Sequence, residues 1–128
     1  MAEDPDDALR SVMRTLAATA LHSNLARCDV LDAALGALEQ GDVEVGLLAG
    51  AERAAHQVVG SAGTFGFPEV SRLAAELEHY LTRVVAGRSA AAGGDGGAAD
   101  ELAQARSWLT QMRAELESGS AGGHQPAG

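Results

Sequence analysis

The chain has 128 residues, a formal net charge of -9, 46% hydrophobic residues, 3% aromatics and a single cysteine, Cys28. That length supports one domain with one core, and so few aromatics leave leucine, valine and alanine to fill it, which favours closely packed helices. The negative charge argues against a nucleic-acid partner, and one cysteine excludes a disulfide framework or a cysteine zinc site within one chain.

The first ten residues, "MAEDPDDALR", show neither a basic n-region nor an apolar h-region. No apolar run approaches the roughly 18 residues of a membrane span, so the expectation is a cytoplasmic protein. Residues 1–5 read as a short frayed end, with Asp6 or Asp7 capping the helix that follows. Apolar positions then recur at Leu9, Val12/Met13, Leu16, Ala20/Leu21, Leu25, Cys28, Leu31, Leu35 and Leu38, in helical steps of three and four. Cys28 on this stripe reads as a small buried apolar residue. The pattern runs to Gln40. Ser23 or Asn24 suits a second cap, so the segment is either one long helix or two with a break near 21–24; the uninterrupted period favours a continuous or kinked helix.

Gly41 stops this segment and Asp42 caps the next, which runs from about Val43 to Phe65 with Glu44 in its first turn. Gly66 closes it, and Pro68 suits the first turn of "PEVSRLAAELEHYLTRVVAG", whose stripe is Val70, Leu73/Ala74, Leu77, Leu81 and Val84/Val85. "GRSAAAGGDGG", residues 87–97, reads as a flexible linker. A last helix from about Ala98 to Glu117 carries Leu102, Ala105, Leu109, Met112 and Leu116 with Trp108 adjoining, and residues 118–128 read as a disordered tail. The fold class is therefore all-α: an antiparallel four-helix bundle over residues 6–117 with an additional or continuous N-terminal helical segment, expected as a monomer.

The second helix contains "AHQVVGSAGTFGF", residues 55–67, with three glycines that each cost about 1 kcal/mol relative to alanine inside a helix. With His56 at zero on a helical wheel, Leu47, Ala51, Ala54, Val58, Ala62 and Phe65 fall between about 160° and 240°. Glu52, Arg53, Gly60 and Gly63 fall within about 60° of His56. The histidine is thus at the centre of the solvent face, and glycines beyond it remove side chains so that another surface can approach. The chemistry that fits is reversible phosphorylation, because a neutral imidazole has a nucleophilic lone pair near pH 7. The carrier supplies a positioned ring, and the partner supplies the metal and the rest of the site.

Residues 55–67 followed by "SRLAAELEHYL" resemble the histidine phosphotransfer (HPt) domain family: a histidine, glycine four residues on, Ser or Gly, Ala, a second glycine ten residues after the histidine, and Leu-Glu about 22 residues after it. Here these are His56, Gly60, Ser61, Ala62, Gly66 and Leu77-Glu78. "GTFGF", Gly63–Phe67, is similar to the N-terminal phosphotransfer domain of chemotaxis-type histidine kinases. The resemblance implies a four-helix bundle with His56 as phosphoacceptor, and receiver domains of response regulators as partners. It implies no cofactor of its own, with Mg2+ held by the receiver. It also implies a glutamate at Glu78 that can hydrogen-bond the imidazole, although Glu78 equally reads as an ordinary solvated carboxylate.

One departure from the family pattern is Val59, where the family has Lys or Arg. Arg53, three residues before His56 on the same face, is the best replacement cation, with Arg72 and Arg83 behind it; Glu52 would repel a phosphoryl dianion. His22, His79 and His124 read as uninvolved, and no set of residues has metal-ligand spacing. There is no P-loop and no room for an ATP-binding kinase domain, so a histidine kinase must act in trans. The leading expectation is a phosphorelay carrier. The alternative is a degenerate module that binds a receiver or kinase and regulates it without being phosphorylated; a metal-dependent hydrolase is poorly supported, for want of inward-facing Glu-x-x-His pairs.

Overall fold

A computed structural model describes residues 4–41, 44–90 and 96–121. They form four helices: α1 (Pro5–Glu39), α2 (Val45–Thr64), α3 (Pro68–Ala90) and α4 (Gly96–Ala121). No strand occurs among the described residues. Each helix packs against its chain neighbours and α4 closes the ring against α1, which gives the antiparallel bundle its four sides.

The long first segment is one helix, without a break near 21–24. Asn24 does not cap because its side chain is spent elsewhere: it is buried, its Nδ2 donates to Ser61 Oγ at 3.2 Å, and its Oδ1 accepts from Arg27 at 2.9 Å. The start of α1 also differs from the expected Asp6 or Asp7 cap. Asp4 is the N-cap, accepting from the Asp6 backbone N–H, and Pro5 follows it. Proline lacks the N–H that a first helical residue leaves unpaired and presets φ, so Pro5 fixes the start, and Asp6 and Asp7 fall in the first turn where the helix dipole favours them.

Gly41 takes φ +74 just beyond α1. The expected Asp42 cap lies outside the described residues. Helix α2 begins two residues later than expected, and Glu44 occupies its N-cap position without a side-chain cap bond rather than sitting in the first turn. At the other end Phe65 is the C-cap, Gly66 adopts φ +94, and the Phe67 N–H bonds the Ala62 carbonyl at 2.8 Å. This is a Schellman closure, whose left-handed residue is tolerated by glycine because it has no Cβ. Pro68 then starts α3 directly.

Both α3 and α4 run further than expected. Helix α3 extends to Ala90 and α4 starts at Gly96, so helix occupies both ends of the expected 87–97 linker; residues 91–95 lie outside the description. Helix α4 also continues through the first residues of the expected 118–128 tail. Its last turn docks on the α2–α3 turn: the Phe67 ring fills the space a Cβ on Gly119 would occupy.

The core is aliphatic. Leu31, Leu35, Leu48, Val58, Leu73, Leu77, Leu81, Met112 and Leu116 are buried, with alanines between them and Trp108 half-buried at its edge. Cys28 is among these residues, and burial pushes its thiol up to about 11. The α1–α4 side is laced by arginines of α4: Arg106 pairs with Asp32 and Glu39, and Arg113 with Asp29. No described helix is long and apolar enough to cross a membrane.

A buried thiol held protonated is inert toward thiol reagents. Native protein should therefore leave Cys28 unmodified by a disulfide reagent at pH 8, and denatured protein should react stoichiometrically. Fast labelling of the native state would contradict this packing.

Candidate functional site

Small residues are buried on the sides of both helices nearest this seam: Ala51, Ala55 and Ala62 fall on the α3 side of the α2 core face, and Ala74 is buried on α3. A hydrogen bond reinforces the contact, with Ser71 Oγ donating to the Val59 carbonyl at 2.7 Å. Two residues on the outer rim of this seam meet. His56 on α2 places Nδ1 2.8 Å from Oε2 of Glu78 on α3. The imidazole is 73% exposed and the Glu78 side chain 30%. The histidine is therefore on the solvent face, as the wheel requires, but is not a free surface ring. An ionised carboxylate can only accept, so Nδ1 carries the proton and the neutral ring keeps its lone pair on Nε2.

Gly60 lies one turn beyond the histidine, and a Cβ there would meet nothing within 4 Å. This open surface matches the cleared approach expected beside the ring. Gly63 is exposed but borders α3: a Cβ would stand 3.4 Å from Ser71 Oγ. Ser61 points to another seam altogether. It lies about 140° around the helix from His56 and receives the Asn24 bond from α1. The structure thus gathers His56, Glu78 and Gly60, puts Gly63 at their border, and leaves Ser61 to join α1 to α2.

Two residues had no place in the sequence expectation. Thr82 Oγ1 donates to Glu52 Oε2 at 2.5 Å and lies 2.9 Å from the Glu78 carbonyl oxygen. Glu52, the carboxylate that the wheel places on the histidine's face, is thereby tied to α3. Ser71 supplies the seam bond already described. Thr82 stands one turn after Glu78, so its presence on the same face was readable from spacing; its partner across the seam was not.

The candidate cations separate cleanly. Arg72 is held by Glu69, a contact that also keeps the Glu69 carboxyl below its ordinary range. Arg83 reaches Glu101 at 3.4 Å and lies over the Tyr80 ring. Arg53 is exposed and has no ion pair among the described residues. Val59 is half-buried against the core. His22 and His79 are exposed, and His124 lies outside the described residues. Among the described residues, no three His, Cys, Asp or Glu side chains converge on a possible metal position.

The family model described as the Hpt domain matches residues 15–118. The chain belongs to the Hpt domain family. Hpt domains are helical bundles that act as phosphotransfer carriers rather than kinases, so this chain is a histidine phosphotransfer module of phosphorelay signalling. The family works with kinases and receiver domains. No curated protein and no solved structure matches the chain.

Placing Ser61 at the α1 seam separates stability from chemistry in this Hpt domain. Ser61→Ala removes one half-buried hydrogen bond and should cost about 1 kcal/mol in urea unfolding. It should leave the rate of His56 labelling by phosphoramidate unchanged; a large loss of labelling in folded protein would instead place Ser61 in the reaction.

Proposed function

We propose that His56 is the phosphoacceptor of this Hpt domain and passes a phosphoryl group to and from aspartates of receiver domains, with a histidine kinase acting in trans. The observation that carries this reading is the 2.8 Å contact between His56 Nδ1 and Glu78 on a ring that is otherwise open to solvent beside Gly60. In the forward step the Nε2 lone pair attacks the phosphorus of an aspartyl phosphate. An N–P bond forms, the P–O bond to the aspartyl group breaks, and its electrons leave with the aspartate carboxylate. The ring gains positive charge as the N–P bond forms while Nδ1 keeps its proton. Glu78 stabilises that charge and holds the ring in the reactive tautomer. Reversal of the same step returns the phosphoryl group to an aspartate.

Most of the remaining chemistry belongs to the partner. Mg2+ is expected on the receiver, next to its aspartate, and the chain brings no cofactor of its own. Arg53 supplies the cation that Val59 does not, and Thr82 keeps the Glu52 carboxylate on α3. The reading includes no ATP-dependent kinase activity and places the carrier in the cytoplasm with its partners. Val59 favours a second reading, in which the domain docks receivers or kinases and regulates them without carrying phosphate.

Incubation with a phosphorylated receiver distinguishes the two. Acid-labile label on the wild type, absent from His56→Gln, supports the carrier, and NMR should locate phosphorus on Nε2. Tight receiver binding with no label on His56 would establish the regulatory module instead. Within the carrier reading, Glu78→Ala should slow transfer about 10-fold, corresponding to ~1.4 kcal/mol in the barrier, with the helical circular dichroism signal retained. Arg53→Ala should slow it about 3-fold and flatten its dependence on ionic strength.

A further inference from the structure

The contact between His56 and Glu78 is one of two consecutive rungs across the α2–α3 seam. Glu52 precedes His56 by four residues, and Thr82 follows Glu78 by four. In antiparallel helices these two steps run the same way in space, so the second rung stands about one turn, roughly 5.4 Å, from the first. It is closed by Thr82 Oγ1, which donates to Glu52 Oε2 at 2.5 Å. The hydroxyl has a single proton to give. Its other acceptor, the Glu78 carbonyl oxygen at 2.9 Å, is farther away and uncharged, so the ionised carboxylate takes the proton.

This rung sorts the charges around the ring. On the helical wheel Glu52 lies about 40° from His56 on the α3 side, and Arg53 about 60° from it on the other side. Arg53 is exposed and Glu52 half-buried. Glu52 takes part in none of the ion pairs among the described residues. Side chains four apart on a helix are neighbours, so a glutamate here can swing over the imidazole one turn on. Glu78 is already engaged at Nδ1. The second carboxylate of this face is held to α3 by one neutral hydroxyl.

We propose that Thr82 is a positioning residue for phosphoryl transfer. By drawing Glu52 to α3 it keeps a second negative charge off the approach to Nε2 and leaves Arg53 as the charge beside that approach. The inference rests on His56 being the phosphoacceptor. Thr82 touches neither the ring nor the incoming group and acts through Glu52. A phosphoryl donor is an anion, so a released Glu52 repels it, whereas a neutral reagent meets no such barrier at the same nitrogen. One charge a few ångströms from the reacting atoms in water alters a rate about 3-fold, and salt screens the effect.

Thr82→Val removes the hydroxyl and keeps the size and branching of the side chain. Labelling of His56 by phosphoramidate, an anionic donor, should slow about 3-fold in this variant at low salt, and the gap should close at about 0.5 M salt. Thr82→Ser restores the hydroxyl and should label as the wild type does. On a Glu52→Gln background Thr82→Val should change nothing, because no charge is released. Diethyl pyrocarbonate is a neutral reagent for imidazole. Its reaction at pH 8, followed on the His56 peptide by mass spectrometry, should run at one rate in every variant. Unchanged phosphoramidate labelling in Thr82→Val overturns the proposal. Equal slowing on the Glu52→Gln background, or with the neutral reagent, overturns it as well and gives Thr82 a part in the fold alone. A wild type that takes no label defeats the phosphoacceptor reading itself, and that result is visible before any variant is compared.

Discussion

The separation between α2 and α3 is the constraint on which the site depends. His56 and Glu78 are on different helices, and a glutamate side chain spans only a few ångströms. The buried alanines at 51, 55 and 62 leave room for the two backbones to approach, and the Ser71 hydroxyl fastens α3 to the Val59 carbonyl. Larger side chains along this line would push α3 outward and carry Glu78 away from the ring. The high alanine content is thus more than a helix-forming bias: it sets the distance at which a carboxylate on one helix can orient an imidazole on the next. Even Val59, anomalous beside the family pattern, belongs to this seam through its half-buried side chain and its carbonyl.

The bundle uses different physics on its other sides. Between α1 and α4, long arginines of α4 reach across to Asp29, Asp32 and Glu39. Exposed ion pairs of this type contribute little stability each, but they fix register by penalising slippage. Between α1 and α2, one buried amide, Asn24, sets the register through Ser61. The apolar core supplies the cohesion, and each side adds its own register mark.

The helices were legible because apolar steps of three and four survive in a one-dimensional sequence, and Gly66 followed by Pro68 marks a boundary with two independent signals. The position of His56 was legible for the same reason, since a wheel separates core from solvent without knowing the neighbours. What escaped depended on a partner far away in the chain. Asn24 looked like a cap until Ser61 was found opposite it. Ser61 was readable as part of a motif, but not its bond to Asn24 of α1. Gly119 sat in a run that read as disordered, and only the Phe67 ring lying against it shows why glycine suits that turn of helix. Periodicity finds the face of an element; the neighbour that uses the face is a tertiary fact.

The half-buried Trp108 has a consequence for optical measurements. It is the chain's only tryptophan, and it is on α4, whose neighbouring helices among the described residues are α3 and α1. Its emission therefore samples the edge of the core at a helix that does not carry the imidazole. Indole fluorescence in this protein is a built-in reporter of bundle integrity and stays largely blind to events at the ring of His56, so folding and chemistry can be followed in one sample on separate channels.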